Sequence, residues 1–170
     1  MPTYKSILEE TLEAWEDVRF GIIEEVRNIP GGRFDYRPTP DVMSVHDLVA
    51  HILEISMMMT EELTAPDANF HRMSFGRLIK KHAAPVRAAT TKGDLVKLLR
   101  SQFRDAERKF RSAGELHLLQ FITRFDGEKG TRLAWLHHGI AQEMYHRGQL
   151  TVYERLMGIV PALTKRIRGG

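Results

Sequence analysis

Eight histidines and no cysteine set the chemistry open to this chain of 170 residues. Without cysteine there is no disulfide, no thiolate ligand and no sulfur nucleophile. A metal must be held by His, Asp, Glu or an amide oxygen, and any thiol must arrive on a substrate. Helical phase sorts the histidines. His51 shares a face with Leu48, Ile52 and Ile55, so its ring points inward. By itself that placement serves a core histidine with satisfied nitrogens as well as a ligand. Gln142 and His146 stand four residues apart, so on a helix they stack on one face and can point at one atom. The signal is weaker than a His pair, because a neutral amide is a poorer donor than imidazole. His138 lies eight residues before His146, about 12 Å along a helix at 1.5 Å per residue. Metal–nitrogen bonds of roughly 2 Å cannot close that gap, so His138 reads as a neighbour of the site. His137 falls on another face, and His46, His71, His82 and His117 read as surface residues.

Two carboxylates accompany these positions. Glu54 follows His51 by three residues and Glu143 precedes His146 by three. Glu-x-x-His is a ligand spacing of di-iron bundles, but it occurs here once in that order and lacks further helical Glu partners. A solvated position or a hydrogen bond to a histidine is the expected role of both. Whether either moves a proton stays open. Gly148, inside a helical pattern, costs about 1 kcal/mol against alanine, which predicts a neighbouring helix packed close to it. Arg147 is expected to brace the site by pairing with Glu54 or Asp47.

The elements that must position these residues can be read from periodicity and caps. A first helix over roughly Tyr4 to Asn28 carries the stripe Leu8, Leu12, Trp15, Arg19, Ile22 and Val26, and Ile29-Pro30-Gly31-Gly32 stops it. Pro38 and Pro40 exclude a helix in the next stretch. A second helix opens at Ser44 with Asp47 as a capping box and runs to about Thr64 before Pro66. A short helix fits Phe75 to Lys81. A third starts near Thr91, carries Leu95, Leu98, Leu99, Phe103, Ala106 and Phe110, and closes at Gly114. A fourth runs from Gly130 or Thr131 to Met157, with Gly158 and Pro161 beyond. The fold class is therefore all-α, an antiparallel four-helix bundle forming a single domain over residues 1–170, with 158–170 as a solvated basic tail.

Hydrophobic and charged fractions of 42% and 28% are those of an ordinary globular domain. No apolar run spans a membrane, and the first residues lack the pattern of a secretory signal, so a cytoplasmic location is expected. Lys and Arg exceed Asp and Glu by 25 to 22. An excess of +3, without a recognition motif, makes a nucleic-acid partner an unfavoured reading.

Tyr36-Arg37-Pro38 followed by Ser44-Val45-His46-Asp47-Leu48-Val49-Ala50-His51-Ile52 resembles the start of the second helix in the DinB-like superfamily. Glu143-Met144-Tyr145-His146-Arg147-Gly148-Gln149-Leu150 resembles that superfamily's most distinctive motif, on the last helix, and Tyr153-Glu154-Arg155-Leu156-Met157-Gly158 also fits. The resemblance implies a four-helix bundle, often a homodimer, holding a divalent metal (nickel, zinc, iron or manganese) with three histidines. It also implies a small-molecule substrate and transfer of a low-molecular-weight thiol, or hydrolysis, in members with known activity. Carried over, the first ligand falls on His51 and the third on His146. The second falls on Gln142, where this sequence departs from the pattern and should hold a metal more weakly. Two readings follow: a metal-dependent thiol transferase or hydrolase, or a non-catalytic bundle whose degenerate site serves binding or structure.

Overall fold

Local capping decides where the long helices begin. The computed structural model describes residues 5–169. Within them the chain forms α1 (Ile7–Asn28), α2 (Val45–Thr64), the short α3 (Phe75–His82) and α4 (Ala84–Ala88), then α5 (Lys92–Ala113) and α6 (Glu115–Leu118). The strands β1 (Phe121–Thr123) and β2 (Lys129–Thr131) precede α7 (Arg132–Leu156) and a final α8 (Ala162–Ile167). Ser6 and Thr131 accept backbone N–H groups at the starts of α1 and α7, while Ser44 with Asp47 and Thr91 with Asp94 form full capping boxes on α2 and α5. Gly114 ends α5 at φ +83°, a conformation that favours glycine.

The long helices α1, α2, α5 and α7 pack as a four-helix bundle in which each of α1 and α2 touches both α5 and α7. Two run each way. Glu9 meets Arg111 and Lys92 bonds the end of α1, so α1 and α5 are antiparallel. Trp15 meets Glu143 and Asn28 meets Glu154, so α1 and α7 are parallel. Serine 56 meets Gln102 and Glu61 meets Lys109, so α2 and α5 are parallel. Chain order is thus up, down, down, up, and residues 65–91 must cross the length of the bundle. Buried Glu62 fastens this crossover to α2 by accepting from Arg72, Lys81 and His82.

Two apolar clusters fill the interior. One centres on Ile22, Ile52 and Leu95, the other on Trp15, Met58, Phe103 and Phe110. Between them lies a polar layer. Arg19, 1% exposed, donates to Glu143 Oε2 at 2.9 Å, Gln102 Oε1 at 2.7 Å, Ser56 Oγ at 2.7 Å and the Leu99 carbonyl at 2.9 Å. One guanidinium therefore joins all four long helices, with every contact hydrogen-bonded as burial of a charge requires.

Two sequence expectations change here, and one element is added. The stretch 158–170 is more than a solvated tail: α8 packs on α1, with Glu25 accepting the Ala162 and Leu163 N–H groups at 2.6 and 3.2 Å and Arg166 pairing with Glu24. Residues 121–131 form an antiparallel hairpin, Phe121 opposite Thr131, too short to show an alternating pattern. Gly148 meets no neighbouring helix of this chain, since nothing among the described residues lies within 4 Å of where its Cβ would stand.

Candidate functional site

His51 on α2 and His146 on α7 come together at the seam between these two helices. Their ring centroids are 5.0 Å apart with planes at 88°. His146 is 8% exposed, because its phase on α7 is that of the buried Leu136, Glu143 and Leu150. His51 is half-buried, at the edge of the core. Burial, and then the neighbouring His146, push the His51 imidazole below its ordinary range, so it favours the neutral form.

Side-chain amides fix both rings. His146 Nδ1 lies 2.6 Å from Gln149 Oε1. An amide oxygen only accepts, so Nδ1 carries the proton in this hydrogen bond, and in the neutral ring Nε2 is the nitrogen with the lone pair. The Gln142 amide lies 3.4 Å from His51 Nε2 and donates to it. Rotation of this amide would instead turn its oxygen toward the same point. Gln149 also donates to the Tyr145 hydroxyl at 3.5 Å. The arrangement brings together two imidazoles and one amide, whose oxygen joins them when the Gln142 amide is turned. Among the described residues no cluster of three or more His, Cys, Asp or Glu side chains suited to a metal occurs, in keeping with glutamine at position 142.

Tyr145 packs its ring on His146 at 5.2 Å, while Glu143, Arg147 and Asp47 take partners elsewhere. Glu143, 3% exposed, turns into the polar layer and accepts from Arg19 and from Trp15 Nε1 at 2.9 Å. The expectation of a solvated or histidine-bonded Glu143 is corrected. Its phase with Leu136, His146 and Leu150 is a signal present in the sequence. Arg147 pairs with neither Glu54 nor Asp47. It lies over Gly21 of α1, where a Cβ would fall 2.2 Å from its guanidinium carbon, and its Nη2 stands 3.8 Å from Glu25. Asp47 instead pairs with Arg37 at 3.3 Å. The Glu54 carboxyl is pushed up by burial, with Arg87 opposing.

Of the remaining histidines, His138 lines a cavity beside the pair. It packs on Trp135 at 4.9 Å, and His137 reaches Thr11 at 3.5 Å. His82 and His117 are half-buried and bonded to Glu62 and the Leu63 carbonyl, so they brace the fold where surface positions were expected.

A cavity of about 470 Å³ opens beside the imidazole pair, and Gln142 belongs to both. Met58 and Met59 of α2 and Trp135 of α7 form walls, while Phe75 of α3 and Phe125 of the hairpin turn close one end. These aromatic walls come from segments distant in sequence. Phe75 and Phe125 are 5.1 Å apart and Phe125 and Trp135 5.7 Å, joined through the crossover and the hairpin. An isolated bridge of Asn69 with Thr123 ties those two segments together.

Residues 1–168 match the DinB family. The chain belongs to the DinB family. No curated protein matches its sequence. Among solved structures, the crystal structure of a DinB-like protein, YjoA, from Bacillus subtilis is similar, with a TM-score of 0.67 and 24% identity over 88% of this chain and 92% of that one. That likeness is one of fold, and with the family match it establishes the all-α DinB-like bundle. No helix among the described residues is long and apolar enough to cross a membrane.

Proposed function

We propose that this DinB-family chain is a divalent-metal-dependent enzyme that transfers a thiol to, or hydrolyses, a small molecule. The observation that carries the reading is the meeting of His51 and His146 at 5.0 Å, with the Gln142 amide 3.4 Å from His51 Nε2. The donor set fits a cation. His51, His146 and the Gln142 oxygen would hold it and leave coordination positions open for a ligand. When bound, such a metal lowers the pKa of a coordinated thiol or water and so generates a nucleophile at neutral pH.

The chain's own residues do the rest. Gln149 holds His146 in one tautomer and one orientation. Glu143 keeps α7 in rotational register through Arg19 and Trp15, with both carboxylate oxygens engaged in the polar layer. Gln142 makes the site weaker than one of three imidazoles. Equilibrium dialysis against zinc, nickel and manganese, with bound metal counted, tests the proposal. Wild-type protein should bind at micromolar concentrations, His51→Ala and His146→Ala should not, and Gln142→His should bind at least tenfold tighter. Failure of both wild type and Gln142→His to bind overturns it.

The departure at Gln142 supports one second reading, a bundle that binds a small molecule at the same seam without turnover. Conjugation of a thiol to an electrophile that disappears in His146→Ala would exclude that reading.

A homodimer is part of the proposal. Its support is the outer face of α7, where exposed Tyr145, Val152 and Leu156 flank the open Gly148. A second copy of α7 would supply the close helix that glycine at this position predicts.

A further inference from the structure

The cavity beside Gln142 has a chemistry of its own, distinct from the imidazole pair. Phe75, Phe125, Trp135 and Tyr145 contribute four aromatic rings, and Met58 and Met59 add two thioethers. No Lys, Arg, Asp or Glu lines it among the described residues, and its one basic side chain is the His138 imidazole, packed on Trp135 at 4.9 Å. The uncharged side chain Gln142 provides a hydrogen-bonding group at the inner wall, next to His51. The volume of about 470 Å³ lies in the range of small-molecule sites, roughly 300–1,000 Å³.

We propose that this cavity seats a neutral aromatic group of the substrate, with one hydrogen-bonding function turned toward Gln142. Its standing as a substrate seat rests on the proposed function. Its binding preference rests only on the lining. Aromatic rings pack on one another edge-to-face or offset, and thioether sulfur packs favourably at ring edges. The walls already do so: Phe75 and Phe125 meet at 81°, Phe125 and Trp135 at 77°. An aromatic guest extends the same packing.

Charge excludes the alternatives. An anionic group entering the cavity loses its water and finds no permanent positive charge on the wall, where His138 is the one basic side chain. An aromatic cage can also hold a cation over its ring faces. Here the Arg124 guanidinium already lies 5.9 Å from the Trp135 ring centroid, and a second cation at that ring meets like charge. Arg124 does not itself line the cavity, and its Nη2 pairs with Asp126 at 2.6 Å.

Isothermal titration of metal-free protein with three probes of one shape decides the point: 2-naphthol, 2-naphthalenesulfonate and 2-naphthyltrimethylammonium. 2-Naphthol should bind, with the sulfonate and the ammonium each at least tenfold weaker. Ala141 lines the cavity and is exposed, so Ala141→Trp fills the space without disturbing the core. That variant should lose 2-naphthol binding at least tenfold while keeping the metal affinity of the wild type. Equal or tighter binding of either charged probe overturns the proposal, as does failure of 2-naphthol to bind or unchanged binding by Ala141→Trp. Because the titration uses metal-free protein, failure of the metal site leaves its outcome intact, and failure of the cavity leaves the metal dialysis intact.

Discussion

Arg19 and Glu143 bury an ion pair where four helices meet, and two large terms oppose each other there. Desolvating both groups costs several kcal/mol each, and the pairing offsets this only while every donor is satisfied. The network around Arg19 meets that condition. Removing one partner should therefore be far worse than replacing both. Arg19→Ala is expected to lower stability by about 3–5 kcal/mol, read from urea denaturation, while the pair Arg19→Met with Glu143→Leu should recover most of it. Glu143→Gln should leave metal affinity within about twofold if the carboxylate braces α7 and touches no ligand. A tenfold loss of affinity would return Glu143 to the site. The sequence placed Arg19 in an otherwise apolar stripe without showing its purpose, because its partners come from three other helices. Glu143 was legible by phase on α7, and was missed because a carboxylate near a histidine was read as its hydrogen-bond acceptor.

Helix boundaries depend on local chemistry, which is why they could be read in advance. Ser44 with Asp47 closes α2 as the spacing predicts, and α2 carries His51. Ser44→Ala should cost about 1 kcal/mol and lower the Tm by roughly 2–4 °C for a domain of this size, with the helix start frayed in amide exchange. The last helix is different. With six residues, α8 holds through Glu25 and through Asn28, which accepts from Lys165 at 2.6 Å and donates to Glu154 Oε1 at 2.6 Å. Glu154 is fully buried, and its pKa is raised to about 8, first by desolvation and then by the Glu25 carboxyl beside it, with Asn28 and Lys165 opposing. A carboxyl whose folded pKa exceeds its unfolded value near 4.5 favours the fold fully below that value. The advantage is lost as pH rises through about 8. Between pH 5 and 9 the Tm should decline, and Glu154→Gln should flatten the slope while raising stability at the alkaline end. A slope unchanged in Glu154→Gln would assign it to another group.

At the scale of the whole molecule, the direction of the helices decides what the site is made of. Because α2 and α5 run parallel, the chain must travel back along the bundle between them, and this crossover brings Phe75 to the cavity beside α7. The same topology leaves the outer face of α7 uncovered. Gly148 sits there with open space around it, so Gly148→Leu should be tolerated by the fold of one chain and should turn a dimer into monomers in light scattering. If wild-type protein is monomeric at micromolar concentration, the homodimer reading fails.

The sequence by itself determined the four long helices, their caps and the inward phase of His51 and His146. Each of these depends on residues within a few positions of one another, where hydrogen bonds and periodicity are local. Only the tertiary structure decided the partners. It turned Glu143 toward Arg19, laid Arg147 over Gly21 and docked α8 on Glu25. It also enclosed an aromatic cavity between four segments of chain. Those contacts join residues up to 138 positions apart, and no local rule of spacing reaches that far. Gln142 shows both sides. Its weakness as a ligand was written in its side chain, whereas its place between the imidazole pair and an uncharged aromatic cavity came from how α2 and α7 pack.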